Sequence, residues 1–286
     1  MHIALMPLTV LTALLAFSNS IAVPQGSAFE LKVPHVDGIQ KVTATWQKKE
    51  VPLARQDDVW VALIGVDLDL KAGPYTAKVD IARDGKVTPQ TISVEVTPVQ
   101  FPTRVLEVEP KYVDPPAEEL KRINREAEEL NKIHRTVTPE KFWSESFRAP
   151  LDGAVQASSF GARSIFNGQA RSPHAGADLR AASGTKVLAA NRGRVVLARD
   201  LYFTGNTVVI DHGLGVYSLY AHLSRIDVKV GAVVEKSQLL GLSGATGRVT
   251  GPHLHWGFKA QDSRVDPFSL VGIEEHVVVL EISQSR

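Results

Sequence analysis

The sequence contains no cysteine among its 286 residues. Disulfides, zinc sites built on thiolates and cysteine nucleophiles are therefore excluded. Any metal ion bound by this chain must be held by histidine, aspartate or glutamate side chains.

The sequence also lacks an excess of charge of one sign, because its 32 lysines and arginines are balanced by 31 aspartates and glutamates, which gives a formal net charge of +1. Proteins that bind nucleic acid normally present a strong basic field, so a nucleic-acid partner is not indicated. The apolar share of 44% and the charged share of 22% are typical of a globular protein that buries a core. The length favours two domains and a linker.

Long hydrophobic runs are lacking except at 3–17, and that run is shorter than the roughly 20 residues of a membrane span. Small residues follow it at Ser20 and Ala22, which is typical of a secretory signal peptide cleaved after Ala22. The sequence therefore predicts a signal peptide at 1–22, export, and no membrane span in the mature chain. Because no lysine or arginine precedes the run, a misplaced start, an anchor or a buried helix stay open as alternatives.

Residues 23–98 show short runs rich in valine, threonine and isoleucine, for example at 42–46 and 59–64, separated by turn signals such as Asp84-Gly85. Regularly spaced strands of this kind predict a small antiparallel β-sandwich, which we interpret as immunoglobulin-like. Aromatic residues in alternating strands are more often core than binding surface. We assign three of them to the core: Trp46, Trp60 and Tyr75.

Residues 99–149 change character, with several prolines followed by a stretch dense in charge. Apolar residues recur at helical spacing from 116 to 135, which predicts one amphipathic helix with Pro116 in its first turn and Asp114 near its cap. We interpret the segment as a proline-rich and helical linker. A plain spacer and a hinge over an active site both remain open.

Residues 150–272 return to strand-like runs punctuated by glycines, which predicts a mostly antiparallel β domain. Residues 273–286 are predicted to be a C-terminal tail. The expected fold class is therefore all-β in the main, with one helical segment between two β domains.

Four of the nine histidines lie in three short segments of the second domain: "HAGAD" from His174 to Asp178, "YAHLS" around His222, and "GPHLHW" with His253 and His255. Histidines two residues apart leave a strand on the same face, so they can share one site. The other histidines are interpreted as structural or surface residues: His2, His35, His134, His212 and His276. Of these, His212 is assigned to a turn at the end of a strand.

Zinc is the metal that this combination of imidazoles and a carboxylate favours, and a catalytic zinc site keeps three protein ligands with one position open. Zinc acidifies water and polarises a carbonyl, while spare imidazoles can serve as base or oxyanion donor. No thermolysin-like His-Glu-x-x-His helix is indicated, and the Gly-x-Ser-type segments lack the context of a nucleophile elbow, so serine hydrolysis is not supported.

These motifs resemble the lysostaphin/LytM-type zinc endopeptidases, whose hallmark is His-x3-Asp, a separate His, and His-x-His, over about residues 150–272. The resemblance implies a duplicated hybrid motif β domain, with one zinc ion per chain bound by His174, Asp178 and His255. It also implies that His222 and His253 are catalytic histidines that do not bind the metal. Arg163 and Asn167 are predicted substrate contacts, with a turn role for Asn167 as the alternative.

The resemblance further implies a metalloendopeptidase that hydrolyses peptide cross-links of bacterial peptidoglycan, with its peptide stems as partner and a periplasmic or cell-wall location. The N-terminal domain is expected to position the enzyme, to regulate it within the chain, or only to pack. The main alternative is a zinc-binding but catalytically silent module that binds the wall or activates an amidase. A carrier-like β domain is the weaker rival, because no lysine flanked by methionine stands at a hairpin tip.

Overall fold

The computed structural model describes residues 19–106, 115–153, 160–170 and 172–282. Strands dominate them, which confirms the predicted mainly-β class. Most of the predicted signal peptide and the predicted cap at Asp114 lie outside the described residues. No helix in these ranges is long and apolar enough to cross a membrane.

Two β-sheets form the N-terminal half. In chain order their strands are β1 (Ser20–Pro24), β2 (Ala28–Pro34), β3 (Ile39–Trp46), β4 (Lys49–Pro52), β5 (Ala54–Gln56), β6 (Val59–Gly65), β7 (Gly73–Arg83) and β8 (Lys86–Thr97), together with β21 (Val277–Val279). One sheet has the order β1-β8-β7-β3-β4 and the other β21-β2-β6-β5. Their inner faces share one apolar core, which includes Leu31 and Ile64 of one sheet and Ile92 and Val94 of the other.

The pairing differs from a purely antiparallel sandwich at two sheet edges. Strands β1 and β8 are parallel, as are β2 and β21. The end of the chain, predicted to be a tail over 273–286, thus supplies a strand to the N-terminal half, because Val278 and Leu280 are buried in its core. The predicted cleavage after Ala22 falls inside β1 and stays a prediction.

The linker is tied to the second half of the chain. It contains β9 (Thr103–Leu106) and helix α1 (Ala117–Arg135), which Pro116 precedes without a side-chain cap. Leu130 and Ile133 of α1 pack against a cluster that includes Tyr217. Burying this apolar stripe fixes the helix on the second domain.

The C-terminal half contains two further sheets and a short helix. Its elements are β10 (Arg163–Phe166), β11 (Gln169–Ala170), β12 (Gly176–Arg180), β13 (Lys186–Leu188), β14 (Gly193–Leu201), β15 (Gly205–Gly213), β16 (Val216–Ile226), β17 (Val233–Val234), β18 (Leu239–Ser243), β19 (His253–Ala260), β20 (Ser263–Val265) and α2 (Pro267–Val271). The larger sheet has the order β12-β19-β16-β15-β14-β17, with β13, β18 and β20 attached. Strands β11, β10 and β9 form the smaller one.

The two faces of the larger sheet have different roles. Leu254 and Trp256 of β19 point into the apolar core, so His253 and His255 leave the opposite face. On β16, Ala221 stands opposite His255, and Tyr217 on the same face packs against α1. Helix α1 and the histidine pair therefore occupy the same face of the sheet.

The two halves of the chain are joined by a buried amide. Gln261, only 6% exposed, donates from Nε2 to Leu63 O at 2.8 Å and to Leu214 O at 2.9 Å. Beside it, Arg264 forms a two-pronged ion pair with Asp67, at 2.6 and 3.1 Å. These contacts hold the sandwich against the edge of the large sheet.

Candidate metal centre and active site

Pairing of β12 with β19 brings the first group of site residues together. The antiparallel register sets Asp178 opposite His255 and Arg180 opposite His253, while His174 lies just before β12. The Nε2 atom of His174 lies 3.1 Å from Asp178 Oδ1, and His255 Nδ1 lies 3.0 Å from both of these atoms. Three donor atoms from three side chains thus form a nearly equilateral triangle.

This triangle fits a zinc ion. Tetrahedral zinc with bonds of about 2.0 to 2.1 Å spaces its ligand atoms about 3.3 Å apart, close to the separations of these donors. Two imidazoles and one carboxylate are ligand types that zinc favours, and three ligands leave one position open. Within the part of the chain that the structure describes, this is the one histidine and carboxylate group able to hold a metal ion.

The protonation states also suit a cation. Burial disfavours the charged form of Asp178, but hydrogen bonds from His174 and His255 outweigh it and hold the pKa of this carboxyl well below its usual range. Burial lowers the pKa of His255. An ionised carboxylate beside a neutral imidazole is the deprotonated state that metal binding requires.

Gly176 makes room for this arrangement. A Cβ atom at this position would lie 2.6 Å from Trp256 O and 2.8 Å from His255 Cε1. Such contacts are closer than van der Waals packing allows, so the glycine permits the His255 ring to approach β12.

His222 lies beside the triangle in an unusual backbone conformation, with a φ of 64°. Its backbone N–H donates to Thr204 O at 2.8 Å, and its Nδ1 lies 2.9 Å from Thr246 O. A carbonyl oxygen can only accept, so Nδ1 carries the proton and Nε2 keeps its lone pair. Burial lowers the pKa of His222 to about 4, which leaves this ring neutral near pH 7.

The ring of His253 is also held by a hydrogen bond to a backbone carbonyl. Its Nδ1 lies 2.9 Å from Gly251 O, and its Nε2 lies 3.7 Å from Asp178 Oδ1. The ring centroids of His222 and His253 are 4.8 Å apart. The fold therefore gathers the four histidines of the three motifs around Asp178.

Arg163 and Asn167, the two predicted substrate contacts, are placed differently. Arg163 lines an open cavity together with Asp69 and Lys71 of the sandwich. Its neighbour Ala162 accepts from the His174 backbone N–H at 2.9 Å, which connects this strand to the metal group. Asn167 is exposed in the turn between β10 and β11 with a φ of 50°. Its backbone therefore has the left-handed conformation of a turn residue, which favours the alternative of a turn role.

His212 is a structural residue in this fold, as sequence reasoning favoured. It is fully buried, its ring lies 2.7 Å from Ser218 Oγ, and it packs edge-on against Phe147. Sequence reasoning missed Thr204 and Thr246, which hold His222 through their backbone carbonyls. A backbone carbonyl leaves no signature in the residue type, so no local pattern marks these positions.

Comparisons with known proteins agree with the geometry. Residues 172–267 match Peptidase family M23. The crystal structure of a Pseudomonas aeruginosa protein assigned to peptidase M23 is 31% identical with a TM-score of 0.65, and the match covers 85% of this chain and 93% of that one.

Two curated relatives from Vibrio cholerae match over shorter stretches. The peptidoglycan DD-endopeptidase ShyA is 50% identical over 84 residues, which are 29% of this chain and 20% of that protein. The peptidoglycan DD-endopeptidase ShyC is 39% identical over 122 residues, which are 42% of this chain and 28% of that protein. The chain thus matches less than a third of the length of either relative.

Proposed function

The chain belongs to peptidase family M23, and from this membership we propose that it is a zinc-dependent metalloendopeptidase that hydrolyses peptide cross-links of bacterial peptidoglycan. The carrying observation is the donor triangle of His174, Asp178 and His255 with two further imidazoles at its rim. A purely structural cluster would not need two imidazole nitrogens and a carboxylate oxygen within about 3 Å of one another.

His174, Asp178 and His255 would hold the zinc ion. When bound there, zinc supplies Lewis acidity, which polarises a carbonyl group and acidifies water near neutral pH. Asp178 contributes the negative charge of the donor set, and its pairing with His255 across β12 and β19 fixes the position of that ring. These three side chains are partly exposed, at 25%, 37% and 16%, so a substrate can reach them.

His222 and His253 perform the proton transfers in this proposal. Each keeps its Nδ1 proton on a backbone carbonyl, so each presents Nε2 as the acceptor. One ring takes the proton from the attacking water. In its protonated form an imidazole donates at Nε2, which stabilises a developing oxyanion and delivers a proton to the leaving amine.

Arg163 extends the proposed site toward the sandwich. Of the charged groups that line its cavity, Asp69 is engaged by Arg264 at 2.7 Å, whereas Lys71 has no ion-pair partner within 4.0 Å among the described residues. Two cationic groups at one cavity favour carboxylates, which peptide stems carry. We expect Arg163→Gln to raise KM and leave kcat unchanged, because a contact distant from the cleaved bond stabilises the bound substrate and the transition state equally.

Localisation follows from the proposed substrate. Peptidoglycan lies outside the cytoplasm, and the Vibrio cholerae relatives are named as enzymes that act on it. We propose that the chain is exported and works in the periplasm or at the cell wall. Regulation by the N-terminal half stays a prediction; the buried Gln261 contacts support a fixed rather than a swinging arrangement.

The test is digestion of purified cross-linked peptidoglycan by the full chain with one equivalent of zinc, with the products identified by mass spectrometry. A chelated sample and His222→Ala are the controls, because His222→Ala leaves the three metal donors in place. The proposal expects zinc-dependent release of peptides without cross-links in the wild type alone. Stoichiometric zinc binding without cleavage would instead favour the catalytically silent module.

A further inference from the structure

The linker helix buries a carboxylate where an apolar residue would be expected. Glu126 of α1 is only 5% exposed. Its Oε1 accepts from Arg122 Nε at 2.7 Å, and its Oε2 accepts from the backbone N–H of Tyr202 at 2.8 Å. A buried carboxylate is costly unless hydrogen bonds compensate, so this position needs a reason beyond helix packing.

Tyr202 begins the turn between β14 and β15, and that turn holds His222. Thr204, two residues later, accepts the backbone N–H of His222 at 2.8 Å. Phe203, between them, accepts the backbone N–H of Arg248 at 2.9 Å. The turn therefore contacts the catalytic candidate and the loop that runs toward His253.

The first residues of β15, which follow this turn, contact the second hydrogen-bond partner of His222. The backbone N–H of Asn206 donates to Thr246 Oγ1 at 2.9 Å, and a Cβ atom on Gly205 would lie 2.3 Å from that oxygen. Thr246 O is the atom that accepts the Nδ1 proton of His222. The backbone hydrogen bond of His222 and the hydrogen bond of its ring thus both depend on where the turn and the start of β15 lie.

We propose that Glu126 is a positioning residue for His222, acting through Tyr202 and the turn at 202–205. The inference rests on the proposed function for its catalytic consequence. It gives the linker helix a part in the active-site framework: α1 covers the same sheet face as the histidines and anchors the turn through a charged hydrogen bond. Charge-assisted hydrogen bonds are stronger than neutral ones, which suits a carboxylate at this point.

The experiment uses the zinc-supplemented full chain labelled with 15N-histidine, and compares Glu126→Ala with Glu129→Ala. Glu129 lies on the same helix and pairs with Arg199, which also lies 3.7 Å from Glu126 Oε1, so this control separates loss of the Arg199 pairing from loss of the Tyr202 hydrogen bond. The imidazole 15N signals of His222, identified by their loss in His222→Gln, report which ring nitrogen carries the proton. They can be read whether or not the protein hydrolyses peptidoglycan.

Glu126→Ala is expected to shift the His222 signals away from the fixed Nδ1–H pattern and to lower kcat about ten- to a hundredfold, with a KM close to that of Glu129→Ala. Glu126→Gln, which keeps an oxygen acceptor for the Tyr202 N–H, should restore the wild-type spectrum. If Glu126→Ala does not fold, Glu126→Asp, one methylene shorter, takes its place.

The proposal is overturned if Glu126→Ala keeps wild-type His222 signals, or if Glu129→Ala changes them equally. Absence of hydrolysis by the wild type would count against the proposed function only, because the spectra still decide whether Glu126 orients the ring.

Discussion

Replacing Gly176 by alanine is the sharpest test of the candidate metal centre. The added Cβ atom would lie 2.8 and 2.9 Å from His255 Cε1 and Nε2, and 2.6 Å from Trp256 O. Ordinary contacts are about 3.5 to 4.0 Å, so the ring or β12 must move by about 1 Å. His255 Nδ1 is 3.0 Å from both other donor atoms, and this movement would break the triangle.

We expect Gly176→Ala to weaken zinc binding about ten- to a hundredfold, the loss typical when the surroundings of a metal ligand are altered. The matched control is Gly257→Ala. Gly257 faces Gly176 across β12 and β19, but its added Cβ would meet nothing closer than 3.5 Å. Zinc affinity is measured by competition with a chromophoric chelator, and melting temperatures confirm that both variants fold. Wild-type affinity in Gly176→Ala would refute the proposed role of His255 in metal binding.

Three further predictions concern the metal donors, the pH response and the joint between the halves. Asp178→Asn should abolish stoichiometric zinc binding, whereas His253→Ala should still bind one zinc per chain. Elemental analysis of dialysed protein measures the zinc content, and equal zinc content in the two variants would contradict the assignment of Asp178 as a ligand. Burial lowers the pKa of His134 to about 4, against an ordinary value near 6.5, so the unfolded chain binds this proton first. The corresponding stability, ~3 kcal/mol, is complete above pH 6.5 and is lost as the pH falls toward 4. Urea unfolding at pH 7 and 5 should show about 2 kcal/mol of this loss, and His134→Leu should reduce it. The same difference between the two pH values in His134→Leu would contradict the reasoning. Gln261→Leu leaves the carbonyls of Leu63 and Leu214 without their donor, and urea unfolding should reveal a cost of about 2 to 4 kcal/mol. A cost below about 0.5 kcal/mol would show that the buried amide does not stabilise the joint.

The sequence was most informative where local pattern and chemistry coincide. The spacing of His253 and His255 indicated a strand that presents both rings on one face, and the structure has them on β19. The helical spacing after Pro116 predicted a helix, found as α1 at Ala117–Arg135. Such features depend on residues only a few positions apart, so they can be predicted from the sequence without knowledge of the fold.

Other features depended on residues far apart in the chain. Val277–Val279 are too short a run to identify a sheet, yet they complete the sandwich that begins some 250 residues earlier, because burial of Val278 and Leu280 fills its core. Glu126 belongs to a stretch dense in charge, and its residue type does not distinguish it from the exposed glutamates around it; only the fold brings the Tyr202 N–H against it.

The sequence by itself determined the mainly-β class, the linker helix, and the set of histidines with Asp178 on which the proposed metal chemistry rests. Tertiary structure alone decided which atoms face one another: the register of β12 on β19, the carbonyls that fix the rings of His222 and His253, and the contact of α1 with the turn before β15. The physical reason is that residue type and local spacing are properties of the chain. Register and hydrogen-bond geometry arise only when distant segments share a core.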